Sequence, residues 1–413
     1  MLRFLPLVAL AAAMPALAQD PVKSTGDGTT DKPIVITGER LSDLQRELSA
    51  CIARKCSPLE DIAATLKVVE NQFVNGDYKG ARTTLLQSEG RNRRYAKDYP
   101  VAVAGLFRAD SRVAAHLGEG EMYRINAFNT VSALKAGLAD NDPRVLESQI
   151  EVGDMFARSG RPDAAIAQYQ SVAHRANKLN LPLLEGMARL RVVGLYAQLA
   201  EREPGTFRLT ARTAANDLIA DPSPQMKPFG QAARVLLARM DAKAGDPVAL
   251  DRLITDLRMT GNGTTPVLIY APAIDSSQLW IERETATAAT DSKMLIGESM
   301  ALYAPDDYKG AWVDIGFWVT PDGHVADITV LRSGKPNDPE PRWTKPIVTA
   351  IAGRRYAPLR LAPGEPGVLR VERYTLTARY NSAVTGTNLR IRDRMPQIEM
   401  LDLSIDPAAK PTK

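Results

Sequence analysis

The spacing of apolar residues changes once along this 413-residue chain, and that change restricts the fold more than any other feature. Between residues 41 and 259 apolar side chains recur every three or four positions, the period of a helix that buries one face. From residue 267 the spacing becomes two, the period of a β-strand. Residues 261–266 have the Gly/Asn/Thr/Pro composition of a linker. The sequence therefore predicts an α+β protein, with a helical domain at 41–260 and a small domain with an antiparallel sheet and one helix at 266–385.

One stretch of the helical domain places small residues where two helices would press together and aromatic residues where they would fill the gap. The positions in this pattern are Val152, Gly153, Phe156, Gly160, Ala165 and Tyr169. The pattern resembles the tetratricopeptide repeat over one unit of about 34 residues. A degenerate copy begins at Asn75-Gly76-Asp77-Tyr78.

This resemblance implies a stack of helix pairs, because one pair alone cannot bury its apolar face. In the family, the groove of the stack binds peptides or partner proteins. Two interpretations of residues 41–260 follow. The domain is either a protein-binding scaffold or an all-helical packing domain that positions its neighbour.

The second domain contains a clear β-hairpin. In residues 312–319 an apolar side chain occupies every second position, which predicts a strand with one apolar face. Pro321-Asp322-Gly323 supplies the turn, and the return strand runs over 324–332. A helix is predicted at 343–353 and a last strand at 368–380. The apolar positions of this last strand are Leu369, Val371, Tyr374 and Leu376. Their spacing slips after Val371, which predicts a β-bulge.

The order of hairpin, helix and strand resembles the C-terminal domain of the TonB energy transducer. The segments that carry the resemblance most specifically are Pro321–Val325, Val330–Gly334 and Arg354–Pro358. The family domain docks short extended segments, called TonB boxes, by adding them as a strand at its sheet edge. The resemblance implies that the edge lies at the strand 368–380 with Leu369, Val371, Tyr374 and Leu376. TonB has a membrane anchor and a Pro-rich spacer, whereas this chain has helical repeats in their place.

The N-terminus has the features of a secretory signal. Arg3 precedes an apolar run over residues 4–13, and Ala16-Leu17-Ala18 provides a signal-peptidase site. The run is shorter than the ~20 residues that cross a bilayer. We predict a signal peptide at 1–18 and a mature protein in the bacterial periplasm without a transmembrane span. An uncleaved anchor is the alternative.

Residues 19–40 are predicted to be disordered apart from one β-favouring stretch. This stretch contains Ile34, Val35, Ile36 and Thr37 and resembles a TonB box. Such a segment can add as a strand to a sheet edge, or it can pack on the protein's own domain. The charged C-terminal residues 386–413 are predicted to form a flexible tail.

Two cysteines, Cys51 and Cys56, lie five positions apart. Ser57-Pro58-Leu59-Glu60 reads as a capping box, so the preceding helix should end near Lys55 and leave Cys56 in the turn. An oxidising compartment favours a disulfide between them. A redox pair and a metal site are the alternatives.

Catalytic and cofactor motifs are missing from the sequence. It contains no nucleophile elbow, zinc-protease helix, P-loop or dinucleotide fingerprint. The formal net charge is +4, with Lys and Arg interspersed among acidic residues, which argues against nucleic-acid binding. We therefore expect no enzyme activity, no cofactor and no bound metal.

Together these features predict a non-catalytic periplasmic adaptor for protein–protein interactions. The expected partners are proteins or peptides, among them TonB-dependent receptors or another copy of this chain. The alternative is a structural envelope or cell-wall-associated protein without a role in transport.

Overall fold

Helices fill the first part of the chain and strands fill the second, so the predicted α+β fold class is confirmed. The computed structural model describes residues 39–246, 248–260, 263–275, 279, 311–335, 341–382 and 390–404. The signal peptide and the segment with Ile34, Val35, Ile36 and Thr37 lie outside the described residues.

Most helices of the first part begin where the sequence supplies caps or prolines. Ser57 and Glu60 form the predicted capping box, and the Asp142 side chain accepts a hydrogen bond from the Arg144 amide. The helices are α1 (Leu41–Ala53), α2 (Pro58–Val74), α3 (Tyr78–Asn92), α4 (Pro100–His116), α5 (Gly120–Gly137), α6 (Pro143–Arg158), α7 (Pro162–Lys178), α8 (Pro182–Arg202), α9 (Pro204–Ile219), α10 (Lys227–Lys243) and α11 (Ala249–Thr260).

From α2 onwards these helices form consecutive hairpins. The turns of the first three hairpins contain Gly76, Gly118 and Gly160, with φ of 76°, 73° and 74°. A residue with positive φ ends a helix most easily when it is glycine. The three glycines recur at an interval of 42 residues, from 76 to 118 to 160. This interval is longer than the roughly 34 residues of a tetratricopeptide unit.

The hairpins share their cores with their neighbours. One buried cluster joins α2 to α6, a second joins α6, α7 and α8, and a third joins α8, α9 and α10. Helices shared between clusters make the array continuous, as in stacked-repeat proteins.

The second part contains two antiparallel sheets. Strands β1 (Leu268–Tyr270) and β4 (Arg355–Tyr356) pair with each other. The larger sheet has the order β3-β2-β5-β6. Its strands are β2 (Trp312–Val319), β3 (Val325–Ser333), β5 (Val368–Ser382) and β6 (Arg390–Asp402). The helix α12 (Lys345–Ala352) lies between β3 and β4 in the chain.

The predicted position of the sheet edge is wrong. Strand β5 pairs with β2 on one side and with β6 on the other, so Leu369, Val371, Tyr374 and Leu376 do not form an edge strand. Residues 390–402 of the tail that we expected to be flexible are β6 itself. Charged residues and Pro396 obscure this strand in the sequence. Pro396 is compatible with the position of β6 at the end of the strand order, because proline is tolerated on edge strands where the N–H side faces away from the sheet.

Both faces of the larger sheet contact other elements. Ile347 and Ile351 of α12 join a core with alternate residues of β2, which are Val313, Ile315, Phe317 and Val319. Trp312, on the opposite face, belongs to the core of the helical hairpins. The predicted bulge after Val371 is also wrong, because β5 pairs with β2 without a register shift from Val368 to Thr375. Apolar residues occur on both faces of β5 because both faces are partly covered.

Candidate functional site

The turn of the first hairpin contacts the sheet through Trp312. The indole lies against Gly76, where an added Cβ would come within 2.0 Å of Trp312 Nε1. Trp312 is buried and packs with residues of α2 to α6. Gly76 is therefore required both for its positive φ and for the close approach of the indole.

A fully buried arginine stands beside this tryptophan. Arg373 donates from Nε and Nη2 to the carboxylate of Asp314 at 2.6 and 2.9 Å. Its Nη1 donates to the backbone carbonyl of Phe73 at 2.8 Å. The guanidinium carbon lies 4.0 Å from the centre of the Trp312 ring. Arg332 also donates to Asp314, at 2.8 Å. The bidentate pair and the bond to α2 join the sheet to the helices through charge-assisted hydrogen bonds.

The second hairpin contacts the neighbouring part of β5. The hydroxyl of Thr375 lies 2.8 Å from the Tyr78 hydroxyl and 2.9 Å from Nδ1 of His116. Burial, together with the charges of Arg373 and Arg158, lowers the pKa of His116 to about 3. At neutral pH His116 is therefore uncharged, which suits its contact with the ring of Phe73 at 4.8 Å.

The third hairpin reaches β6. Arg158, at the end of α6, forms an ion pair with Glu399, with Nη2 2.5 Å from Oε2. Its guanidinium carbon lies 5.2 Å from the centre of the Tyr123 ring. Burial raises the pKa of Tyr123 to about 12. Three successive hairpin turns thus meet β2, β5 and β6 along one side of the sheet.

The smaller sheet contacts the other end of the helical array. Ile269 of β1 is fully buried against Val235 of α10 and Leu253 and Ile254 of α11. The amide of Ala357 also donates to the carbonyl of Val267, which holds β1 and β4 together. The second domain is therefore attached to the array at both its early and its last hairpins.

Another buried charge lies within the second domain. Arg354 donates to Glu372 at 2.9 Å and to the hydroxyl of Tyr374 at 2.7 Å. Burial first, then the charge of Glu372, raises the pKa of Tyr374 well above its usual value. The segment Arg354–Pro358, which we singled out for its resemblance to TonB, thus contains a residue that joins the end of α12 to β5.

The residues of the predicted repeat pattern lie in the third hairpin. Gly153 of α6 faces Tyr169 of α7, and an added Cβ would come within 2.3 Å of the tyrosine ring. Tyr169 donates to Asp154 at 2.6 Å. Val152, Ala165 and Tyr169 are buried, Phe156 packs against two of the helical cores, and Gly160 is in the turn.

Cys51 and Cys56 complete the predicted positions. Cys51 and Cys56 are at disulfide-bonding distance, with Cα atoms 5.1 Å apart. Nδ1 of His324 lies 3.3 Å from Nη1 of Arg355. His174 is exposed on α7. Among the described residues, no three or more His, Cys, Asp or Glu side chains are grouped to hold a metal ion.

Comparison with known proteins assigns no family. The sequence matches no family model and no curated protein sequence. Within the part of the chain that the structure describes, no helix has both the length and the apolar character of a membrane span.

Sequence reasoning did not find the contact between array and sheet. Its main residues are Trp312, Asp314, Arg373, Thr375, Tyr78 and His116. The sequence did contain a signal for this contact, namely charged residues inside predicted strands, above all Asp314 and Arg373. A charge within a buried strand needs a partner.

Proposed function

We propose that this chain is a non-catalytic adaptor of the bacterial periplasm that binds proteins or peptides through its helical array. The observation that carries the proposal is the continuous stack of hairpins with closed cores between neighbours. Arrays of this kind present long surfaces suited to binding other chains. The resemblance of residues 152–172 to a tetratricopeptide unit and the predicted secretory signal support the same assignment.

In this proposal the second domain does not dock a TonB box at β5. The outer side of β5 is hydrogen-bonded to β6, so an incoming strand would have to displace β6 first. We propose instead that the second domain holds the array in one shape. Its contacts with both the early and the last hairpins support that role.

A structural envelope protein is the second candidate function. The observation that favours it is the same double attachment, which makes array and sheet one unit rather than two independent binding modules. In that case the helical surface would have no specific protein partner.

Photo-crosslinking in the mature full chain separates the two functions. A photoreactive amino acid replaces Leu183 or Leu209 on the array, whose side chains are 65 % and 77 % exposed. Matched variants carry it at Leu331 or Leu369 on the sheet, at 51 % and 45 % exposure. The adaptor function predicts adducts of discrete mass from array positions in cells. Adducts from neither array position would support the structural function.

A further inference from the structure

Two carboxyl side chains on neighbouring helices of the array lie close enough to interact. Glu89 lies on α3 and Asp110 on α4. Asp110 is fully buried and Glu89 is half-buried. Neither takes part in the contact with the sheet or in the function proposed above.

Each of these carboxyl groups has an oxygen without a hydrogen-bond partner. Asp110 accepts from Asn126 Nδ2 of α5 at 2.6 Å through Oδ2. Its Oδ1 is buried without a partner, as is Oε1 of Glu89. A buried ionised carboxylate with an unpaired oxygen is costly, and neutralising it by a proton removes most of that cost.

The nearby positive charges do not balance the acids. Arg82 of α3 is close enough to act on both Glu89 and Asp110, but it forms an ion pair with Glu119 in the turn between α4 and α5. Arg93, just after α3, also acts on Glu89. Two guanidiniums, one of them already paired with Glu119, therefore stand among three carboxyl groups.

We propose that Glu89 and Asp110 hold one proton between them, and that the loss of this proton loosens the contact between the helical array and the sheet. With the proton bound, the pair carries a single negative charge and Arg82 stays with Glu119. Without it, two buried negative charges draw Arg82 away from Glu119.

The connection to the sheet runs through elements already described. Arg82 is on α3, one turn after Tyr78, and Glu119 follows His116 by three residues. Tyr78 and His116 both bond to the hydroxyl of Thr375 on β5. A shift of the Arg82–Glu119 pair therefore moves the two helix ends that hold β5.

The electrostatics agree with this geometry. Burial first, and then the charge of Asp110, raises the pKa of Glu89 to about 7. Burial also raises the pKa of Asp110. The folded state thus binds more protons than the unfolded state. This contribution to stability is fully present below about pH 4.5, the ordinary pKa of Glu89 in the unfolded chain. It is lost as the pH rises through about 7, the pKa of Glu89 in the folded protein.

Unfolding of the mature chain by urea between pH 5 and 8 tests the bound proton. The natural chain and Glu89→Gln share the opposite pH dependence of His116, so the difference between them isolates Glu89. Relative to Glu89→Gln, the unfolding constant of the natural chain should rise with pH, by up to tenfold per pH unit for one proton. The matched control is Glu47→Gln, on the exposed surface of α1, which should retain it. Equal slopes in the natural chain and Glu89→Gln would overturn the proposal. Because a Gln variant can also fold poorly, the carboxyl ¹³C chemical shift of Glu89 in the natural chain is a second observable. A titration of this shift near pH 4.5 would also overturn the proposal.

Hydrogen exchange tests the connection to the sheet. Exchange of the amides of residues 373–376, corrected for the intrinsic effect of pH, should accelerate severalfold between pH 6 and 8 in the natural chain. It should change little in Glu89→Gln. Unchanged exchange across a confirmed titration of Glu89 would overturn the coupling. A failure of array binding in the crosslinking experiment would leave both of these measurements unaffected.

Discussion

Arg373 donates a hydrogen bond from Nη1 to the carbonyl oxygen of Phe73, which is 300 residues away in the chain. This carbonyl is in the last turn of α2 and also accepts from the Gly76 amide at 2.9 Å. Carbonyls at helix ends have no regular partner within the helix. The strand residue therefore completes the end of α2, and Asp314 holds its guanidinium in place.

Replacing Arg373 by Ala should lower the free energy of unfolding by about 3–5 kcal/mol, because Asp314 is left buried with its main partner removed. The matched control is Arg332→Ala. Arg332 also bonds Asp314, but its side chain is 47 % exposed, and we expect a loss of at most about 1 kcal/mol. Urea unfolding measures both. Similar losses for the two variants would contradict the assigned role of Arg373.

Gly76→Ala should destabilise the protein through both backbone strain and displacement of Trp312. A positive φ costs a non-glycine residue about 1–2 kcal/mol. The collision with the indole adds about 1–3 kcal/mol. Gly245→Ala separates the two effects, because Gly245 has φ of 99° and no atom within 4 Å of an added Cβ. Thermal unfolding of both variants is the measurement, and equal shifts would show that the Trp312 contact contributes nothing.

Removal of β6 should expose the outer side of β5. We expect a chain truncated after Ser382 to self-associate, since an unpaired strand edge can pair with another chain. A chain truncated after Ser404 retains β6 and should behave like the natural protein. Light scattering after size-exclusion chromatography measures the mass of each. A monomeric, equally stable chain ending at Ser382 would show that β6 does not protect the sheet.

His116 should make the protein less stable as the pH falls below about 6.5. Its pKa is about 3 in the folded protein, so the unfolded chain binds the extra proton. Its contribution to stability is present above pH 6.5 and decreases by up to about 1.4 kcal/mol per pH unit towards pH 3. His116→Asn should flatten this decrease. The comparison is best made in a Glu89→Gln background, because Glu89 has the opposite pH dependence. An imidazole NMR titration near pH 6.5 would contradict the prediction.

The elements that local sequence specifies were predicted well. Ser57 and Glu60 lie three residues apart and cap α2 as expected, and Gly323, with φ of 84°, turns the hairpin from β2 to β3. Strand β6 was missed because Pro396 and its charged neighbours have a low preference for strands. Its pairing with β5 outweighs that preference.

The chain's own residues, read in order, establish the start of α2 and the hairpin of β2 and β3, because caps, prolines, glycines and apolar spacing act within a few positions. They establish the change from helical to strand period and the α+β class. Only the tertiary structure brings Arg373 to Phe73, Thr375 to His116 and Glu399 to Arg158. Each of these pairs joins residues more than 200 positions apart. No local preference encodes such a pair, because the bond forms only when the fold brings two groups that are distant in the sequence to the same place.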